Sequence, residues 1–311
     1  MAVAWLVAGL CMLLVGGELF VRGASGFARV VGLSPLVIGL TVVAFGTSAP
    51  ELGVSMGAAL ADKPGLALAN VAGSNAFNIL VILGLSALVA PLAVQSQLVR
   101  LDVPVMVASS LVLLLLALNG TIERWEGAAL FLLALLYTAW LIRAGLRENH
   151  AAGGRPPWRW SQGGLAALWI AIGLAALVFG SHWTVQGATA VAERLGISPR
   201  IIGLTIVAAG TSLPELATSV MATIRGERDI AVGNVVGSNI FNVLVILGLS
   251  AAAAPNGLAV SAPILRIDLP MVLLVALLCL PVFILRRTIS RPVGLFFLLV
   301  YVAYLGWVLY R

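Results

Sequence analysis

Charge is what this chain lacks. Only 10% of its 311 residues are Asp, Glu, Lys or Arg, and Lys63 is the one lysine among 18 basic residues. A soluble domain carries about 25% charged residues, so a surface this poor in charge excludes a water-soluble globule. Cysteine is nearly absent: Cys11 and Cys279 lie far apart in apolar stretches, with neither a metal-ligand spacing nor a disulfide framework. Histidine is limited to His150 and His182, and there is no HExxH or G-x-S-x-G word, so no hydrolytic machinery is expected and the chain does not read as an enzyme. The apolar start MAVAWLVAGLCMLLVGGELF has no basic segment before it and no clear small-residue cleavage site. It is expected to stay as a first span. A net charge of +6 in a soluble protein would suggest nucleic acid. Here the arginines fall between apolar runs, so topology accounts for them and no nucleic-acid partner is expected.

What is present is hydrocarbon, with 61% hydrophobic residues and a mean hydropathy of +1.10. A bilayer core of roughly 30 Å needs about 20 apolar helical residues. Such runs occur near 3–21, 35–60, 66–90, 103–119, 126–143, 163–182, 199–224, 230–253, 269–285 and 293–310. The reading is an all-α integral membrane protein of ten transmembrane helices.

Shifted by 164 positions, the chain lies over itself. Residues 32–53 match 196–217 at 15 of 22 positions, and 69–86 match 233–250 at 14 of 18. Gly16 and Gly23 meet Gly180 and Gly187, and RLDVP (100–104) meets RIDLP (266–270) after a two-residue insertion. This is a duplicated five-helix unit. Five is odd, so the second unit enters the membrane from the opposite face, and the two are inverted repeats with a site expected between them at the midplane. The division is 1–143 for the first repeat, 144–162 for a short cytoplasmic linker rich in Gly, Pro and charge, and 163–311 for the second. With the N-terminus outside, twelve of the eighteen basic residues fall on the cytoplasmic side, as the positive-inside rule favours.

The polar residues inside the spans carry the chemistry. GTSAPEL (46–52) recurs as GTSLPEL (210–216). Glu51 and Glu215 fall near the middle of spans two and seven, where a carboxylate costs a few kcal/mol, and no basic residue in the same span can pair with them. A proton or a bound cation must neutralise them. Thr47 and Glu51 are four apart, as are Thr211 and Glu215, which places each pair on one helix face. Pro50 and Pro214 cannot donate the usual helical hydrogen bond, which frees carbonyls around Ala44–Thr47 and Ala208–Thr211. In lipid such groups need a cavity or an ion. NVAGSNAFN (70–78) and NVVGSNIFN (234–242) add polar stripes of Asn70, Ser74, Asn78 and Asn234, Ser238, Asn242. Gly73 and Gly237 should let these helices approach a neighbour closely. All of these are hard oxygen donors, which suit Ca²⁺, Na⁺ or Mg²⁺ better than zinc or copper. Serine and threonine in membrane helices often only bond back to their own helix, but that does not explain the same constellation twice in one register. Outside these motifs, Glu18 and its repeat mate His182 read as interfacial, and Asp102 and Asp268, each followed within two residues by proline, read as helix caps.

With GSNAFN and GSNIFN, the doubled GTSxPEL words resemble the paired repeats of the sodium/calcium exchanger family, in its short-loop prokaryotic form. The resemblance implies an antiporter that exchanges Na⁺ for Ca²⁺ by alternating access, exports Ca²⁺, and sits in the plasma (inner) membrane of a prokaryote. Carried over, it implies that Glu51 and Glu215 bridge Ca²⁺ with Thr47 and Thr211. Na⁺ would draw on Ser48, Ser212, Ser74, Ser238 and the carbonyls of Ala44 and Ala208, while Asn78 and Asn242 line the centre. The K⁺-dependent branch carries an aspartate where this chain has Asn242, so K⁺-independence is expected. The transported ions are the partners, together with the lipid bilayer; no cofactor and no obligate protein partner is implied. A Ca²⁺/H⁺ antiporter is the alternative and a cation channel a more distant one.

Overall fold

The computed structural model describes residues 1–151, 160–197 and 199–310. The described residues are mostly helical, in the order α1 (Ala2–Val31), α2 (Pro35–Thr47), α3 (Ala49–Leu60), α4 (Pro64–Val89), α5 (Leu98–Asn119), α6 (Arg124–Ala151), α7 (Trp160–Arg194), α8 (199–210), α9 (Leu213–Ile224), α10 (Arg228–Ala253), α11 (Ile264–Leu285) and α12 (Arg291–Tyr310). Among the described residues eight of these are long and apolar enough to cross a membrane, and the broken pair α2/α3, bent by 48°, makes a ninth. The pair α8/α9 takes the remaining place in a ten-span order. Both pairs break at the serine before the proline: Ser48 has φ −81° and ψ 8°, and Ser212 has φ −90° and ψ 8°. The expected linker is partly helical, since α6 runs on to Ala151 and α7 starts at Trp160; residues 152–159 lie outside the described residues.

The halves are inverted repeats, and the structure repeats down to its irregularities. Helical turns widen to π geometry at Gly39–Val43 and Gly203–Val207, at Asn78–Leu83 and Asn242–Leu247, and at Leu98–Asp102 and Ile264–Asp268. These are three pairs of repeat mates, and π turns often mark functional positions.

At the centre, α10 is wholly enclosed and α4 mostly so, whereas α6 and α12 are largely exposed. These two helices turn Leu132, Leu136, Phe296 and Leu299 outward, as lipid-facing helices do. Backbones meet where glycine permits it. Gly9, Gly16 and Gly23 recur every seven residues on α1, and Gly173, Gly180 and Gly187 do so on α7; a Cβ at any of them would come within 3 Å of the opposite helix. The last three are the repeat mates of the first three, so duplication built a two-sided small-residue interface.

The fifth helix of each repeat packs on the third helix of the other. A Cβ on Gly127 of α6 would lie 2.6 Å from the Gly248 carbonyl of α10, and one on Gly294 of α12 would lie 2.6 Å from the Gly84 carbonyl of α4. Two short antiparallel ladders, unforeseen in the all-α expectation, follow the same exchange. Leu92–Ala93 (β1) pairs with Thr288–Ile289 (β4), and Thr121–Ile122 (β2) pairs with Leu258–Ala259 (β3). Each ladder joins loops that an alternating ten-span path puts on one side, and the two ladders fall on opposite sides.

Candidate cation site between the two repeats

The GTSxPEL and GSNxFN words meet in the middle of the bundle. Thr47, Ser48, Glu51, Ser74, Asn78, Ser212, Glu215, Ser238 and Asn242 are all buried. Each glutamate lies in the first turn of a helix that restarts after the break, Glu51 in α3 and Glu215 in α9. The positive end of that helix favours a carboxylate there.

Each glutamate is held by the other repeat. The Ser48 hydroxyl donates to Glu215 Oε1 at 2.9 Å, and the Ser212 hydroxyl donates to Glu51 Oε1 at 2.9 Å. Ser74 stands 3.4 Å from the same Glu51 oxygen and 3.1 Å from Ser212. Among the described residues the second oxygens, Glu51 Oε2 and Glu215 Oε2, are buried with no hydrogen-bond partner, as are both polar atoms of Asn78, Asn242 Oδ1 and the Thr211 hydroxyl. Buried polar groups are nearly always satisfied, so the oxygens left over in these two motifs are a candidate ligand set. Among the described residues no group of three His, Cys, Asp or Glu comes together, so side chains add only neutral oxygens to the two carboxylates.

Three sequence expectations change. The Ala44 carbonyl is not free. It accepts the Ser48 amide at 3.1 Å and lies 3.4 Å from the Thr47 hydroxyl, because the helix continues to Thr47 before breaking. Ala208 opens the short segment Ala208–Gly210, but the surroundings of its carbonyl lie outside the described residues. Thr47 and Glu51 do not share one continuous face, because the bend at Ser48 separates them. Asp102 caps nothing with its side chain; it is buried and accepts the Tyr137 hydroxyl at 2.9 Å. The Glu18 carboxylate forms an ion pair with Arg225 at the end of α9.

Ser55, Ser219 and Asn75 escaped the sequence reading, and Asn70 and Asn234 take roles it did not assign. Asn70 donates to Ser55 Oγ at 2.9 Å and to the Glu51 carbonyl at 3.3 Å, and Asn234 does the same to Ser219 at 2.9 Å and the Glu215 carbonyl at 3.4 Å. Each asparagine thus fixes the backbone that carries its own repeat's glutamate. Asn75 joins the halves: its amide donates to the Asn239 carbonyl at 3.3 Å and accepts from Asn242 at 2.8 Å. We predict that Asn75→Ala lowers stability by about 1–3 kcal/mol, since it strands the Asn242 donor in a buried place. A thermal melt in detergent checks this.

The symmetry is incomplete in two respects. On α10, a Cβ at Gly237 would lie 2.7 Å from the Leu40 carbonyl of α2 and one at Gly233 2.8 Å from that of Leu36. The mate of Gly237 on α4, Gly73, is exposed, and a Cβ there meets nothing within 4 Å among the described residues. Gly237 therefore permits the close approach expected of it. Likewise α1 is tied to the end of α9 by the Glu18–Arg225 ion pair and by Ser25 donating to Glu227 at 2.7 Å. The mate of Ser25, Thr189, keeps a buried hydroxyl with no partner.

Comparisons with known proteins agree with this architecture. The family model described as "Sodium/calcium exchanger protein" matches residues 1–143 and 165–310. The putative antiporter CaxA of Alkalimonas amylolytica is 37% identical over 97% of both chains. The sodium/calcium exchanger MaX1 of Methanosarcina acetivorans is 32% identical over 96% of both. The inner membrane protein YrbG of Escherichia coli K12 is 38% identical over 82% of this chain and 81% of its own. A solved structure of the sodium-calcium exchanger NCX_Mj, soaked with Na⁺ and Ca²⁺, superposes with a TM-score of 0.85 at 30% identity, covering 98% of this chain and 97% of that one. With the doubled motifs, the inverted repeats and matches along nearly its whole length, the chain belongs to the sodium/calcium exchanger family, a family of transporters.

Proposed function

We propose that the chain exchanges Na⁺ for Ca²⁺ across the membrane by alternating access and exports Ca²⁺ without K⁺. The observation that carries this is the pair of buried glutamates, each bonded through one oxygen to the other repeat's serine and unpartnered at the other. Two carboxylates carry a charge near −2, which one Ca²⁺ or two Na⁺ neutralise; a third Na⁺ would make the cycle electrogenic. An empty site keeps its charge, and enclosing bare charge away from water is costly. The protein therefore closes readily when loaded and rarely when empty, which makes a carrier an exchanger.

In this reading Glu51 and Glu215 bridge Ca²⁺ with Thr47 and Thr211. Na⁺ uses Ser48, Ser212, Ser74, Ser238 and the Ala208 carbonyl, and Asn78 and Asn242 line the centre. The Asn242 amide donates to Asn75, a bond an aspartate could not make, which supports a neutral centre and K⁺-independence. Residues 1–143 and 163–311 are the two repeat units, with 144–162 as their cytoplasmic link and the N-terminus outside. The tied end of α1 and the tight α2–α10 crossing then lie on the cytoplasmic side, and the exposed Gly73 lies on the outer side.

⁴⁵Ca²⁺ uptake into proteoliposomes preloaded with Na⁺, K⁺ or choline tests the reading. Uptake should require internal Na⁺ and ignore external K⁺. Uptake that follows an imposed pH gradient and ignores Na⁺ would replace it with Ca²⁺/H⁺ antiport, and unidirectional flux without counterflow would point to a channel.

A further inference from the structure

We infer that the cleft between α1 and α7, beyond Gly23, binds the phosphodiester headgroup of an anionic phospholipid. The glycine stripe that locks these helices together ends there, with Gly23 against Ala166 and Ile170. Beside it opens a cavity of about 440 Å³ whose walls include Arg22, Arg29, Gln162, Trp169, Val30 and Leu165.

Its depth suits a headgroup. The apolar run 3–21 spans about 28 Å at 1.5 Å per residue, close to the roughly 30 Å hydrocarbon core. Arg22, the next residue, therefore sits at the edge of the core. Arg29 is seven residues on, on the same helix face and about 10 Å further out, in the headgroup layer. The two guanidinium groups thus bracket the level at which lipid phosphates lie.

The chemistry also fits. A guanidinium offers a planar fork of donors matched to phosphate oxygens. The Arg22 guanidinium carbon stands 5.6 Å from the Trp169 ring centroid, a cation–π contact that holds it at the cleft. Neither arginine has a carboxylate partner among the described residues, whereas Arg225 is engaged by Glu18. A choline headgroup would bring a third cation beside two uncompensated ones, so the cleft favours a lipid with net negative charge. Val30 and Leu165 offer apolar wall to the start of an acyl chain, which a free phosphate would not use.

Native mass spectrometry of the purified full chain, titrated with dioleoyl-phosphatidylglycerol or dioleoyl-phosphatidylcholine, tests this whichever face of the membrane is inside. Phosphatidylglycerol should be retained preferentially. Each basic residue near a membrane surface strengthens anionic-lipid binding about fivefold, so Arg22→Gln/Arg29→Gln should weaken it by about 25-fold. Arg22→Lys/Arg29→Lys should keep much of the binding, and Arg143→Gln/Arg147→Gln, outside the cavity, should keep all of it. Should the Gln pair fail to fold, Arg29→Gln alone carries the test with an expected loss of about fivefold. Equal retention of both lipids, or wild-type retention in the Gln variants, overturns the proposal. Displacement of the lipid by inorganic phosphate at equal concentration also overturns it, in favour of a free-anion site.

Discussion

Glu51→Gln and Glu215→Gln are each expected to bring Na⁺-dependent Ca²⁺ uptake down to the level of protein-free vesicles, a loss on the order of a hundredfold or more, while the protein still folds. Glutamine keeps the size of the side chain and one carbonyl oxygen, so Ser212 and Ser48 retain an acceptor and the helix breaks keep their shape. What goes is one negative charge of two. A divalent ion then sits in a buried site with half its charge uncompensated, at several kcal/mol, and each 1.4 kcal/mol is tenfold in affinity. The two variants should fail alike, because each glutamate has the same bond to the other repeat and the same unpartnered oxygen. Flux in proteoliposomes, with size-exclusion profiles to show folding, is the measurement. Normal Ca²⁺ flux in either variant would falsify the assignment of the site.

The second large effect is on stability. Gly127→Val and Gly294→Val should each destabilise the protein by about 1–3 kcal/mol or more, the usual range for overpacking, and lower its melting temperature in detergent. At both positions the added Cβ would meet a backbone carbonyl at 2.6 Å, and a carbonyl inside a helix cannot swing aside as a side chain can. The effects should be nearly equal, since the α6–α10 and α4–α12 crossings are repeat mates. Gly53→Ala is the control, as nothing lies within 4 Å of a Cβ there; it should be neutral or slightly stabilising, because alanine favours a helix over glycine. A large loss at Gly127 with none at Gly294 would mean that the two crossings are not equivalent.

Much of the site could be read from residues alone, for a physical reason. Lipid makes a carboxylate, an amide or a broken helix expensive, so polar words inside apolar runs stand out, and repetition at 164 positions removes accident. The inverted architecture followed from the odd number of helices per repeat. What could not be read was which residue meets which. Thr47 and Glu51 share a helix face only if the helix is continuous, and the break at Ser48 passes the glutamate to the serine of the other half. Symmetry hid this exchange, because identical words at identical spacing fit pairing within a repeat as well as across. Asn75 escaped because it stands beside Ser74 in a motif whose regular stripe draws the eye to every fourth residue. The difference between Gly73 and Gly237 belongs to conformation: one sequence pattern leaves Gly237 packed against α2 and Gly73 exposed.

The exchange of fifth helices and of β ladders between the halves bears on how the chain comes into being. When synthesis has passed Ala151, the first half already exists, but the partners of its Gly84 and Gly127 surfaces and of Leu92–Ala93 and Thr121–Ile122 do not. Those partners lie between Gly248 and Gly294, near the other end of the polypeptide. The early helices must wait in the bilayer with their small-residue ridges uncovered and their loop edges unpaired, open to wrong neighbours. A ribosome that stalls midway therefore leaves no half-sized transporter behind, only an orphan for quality control to clear.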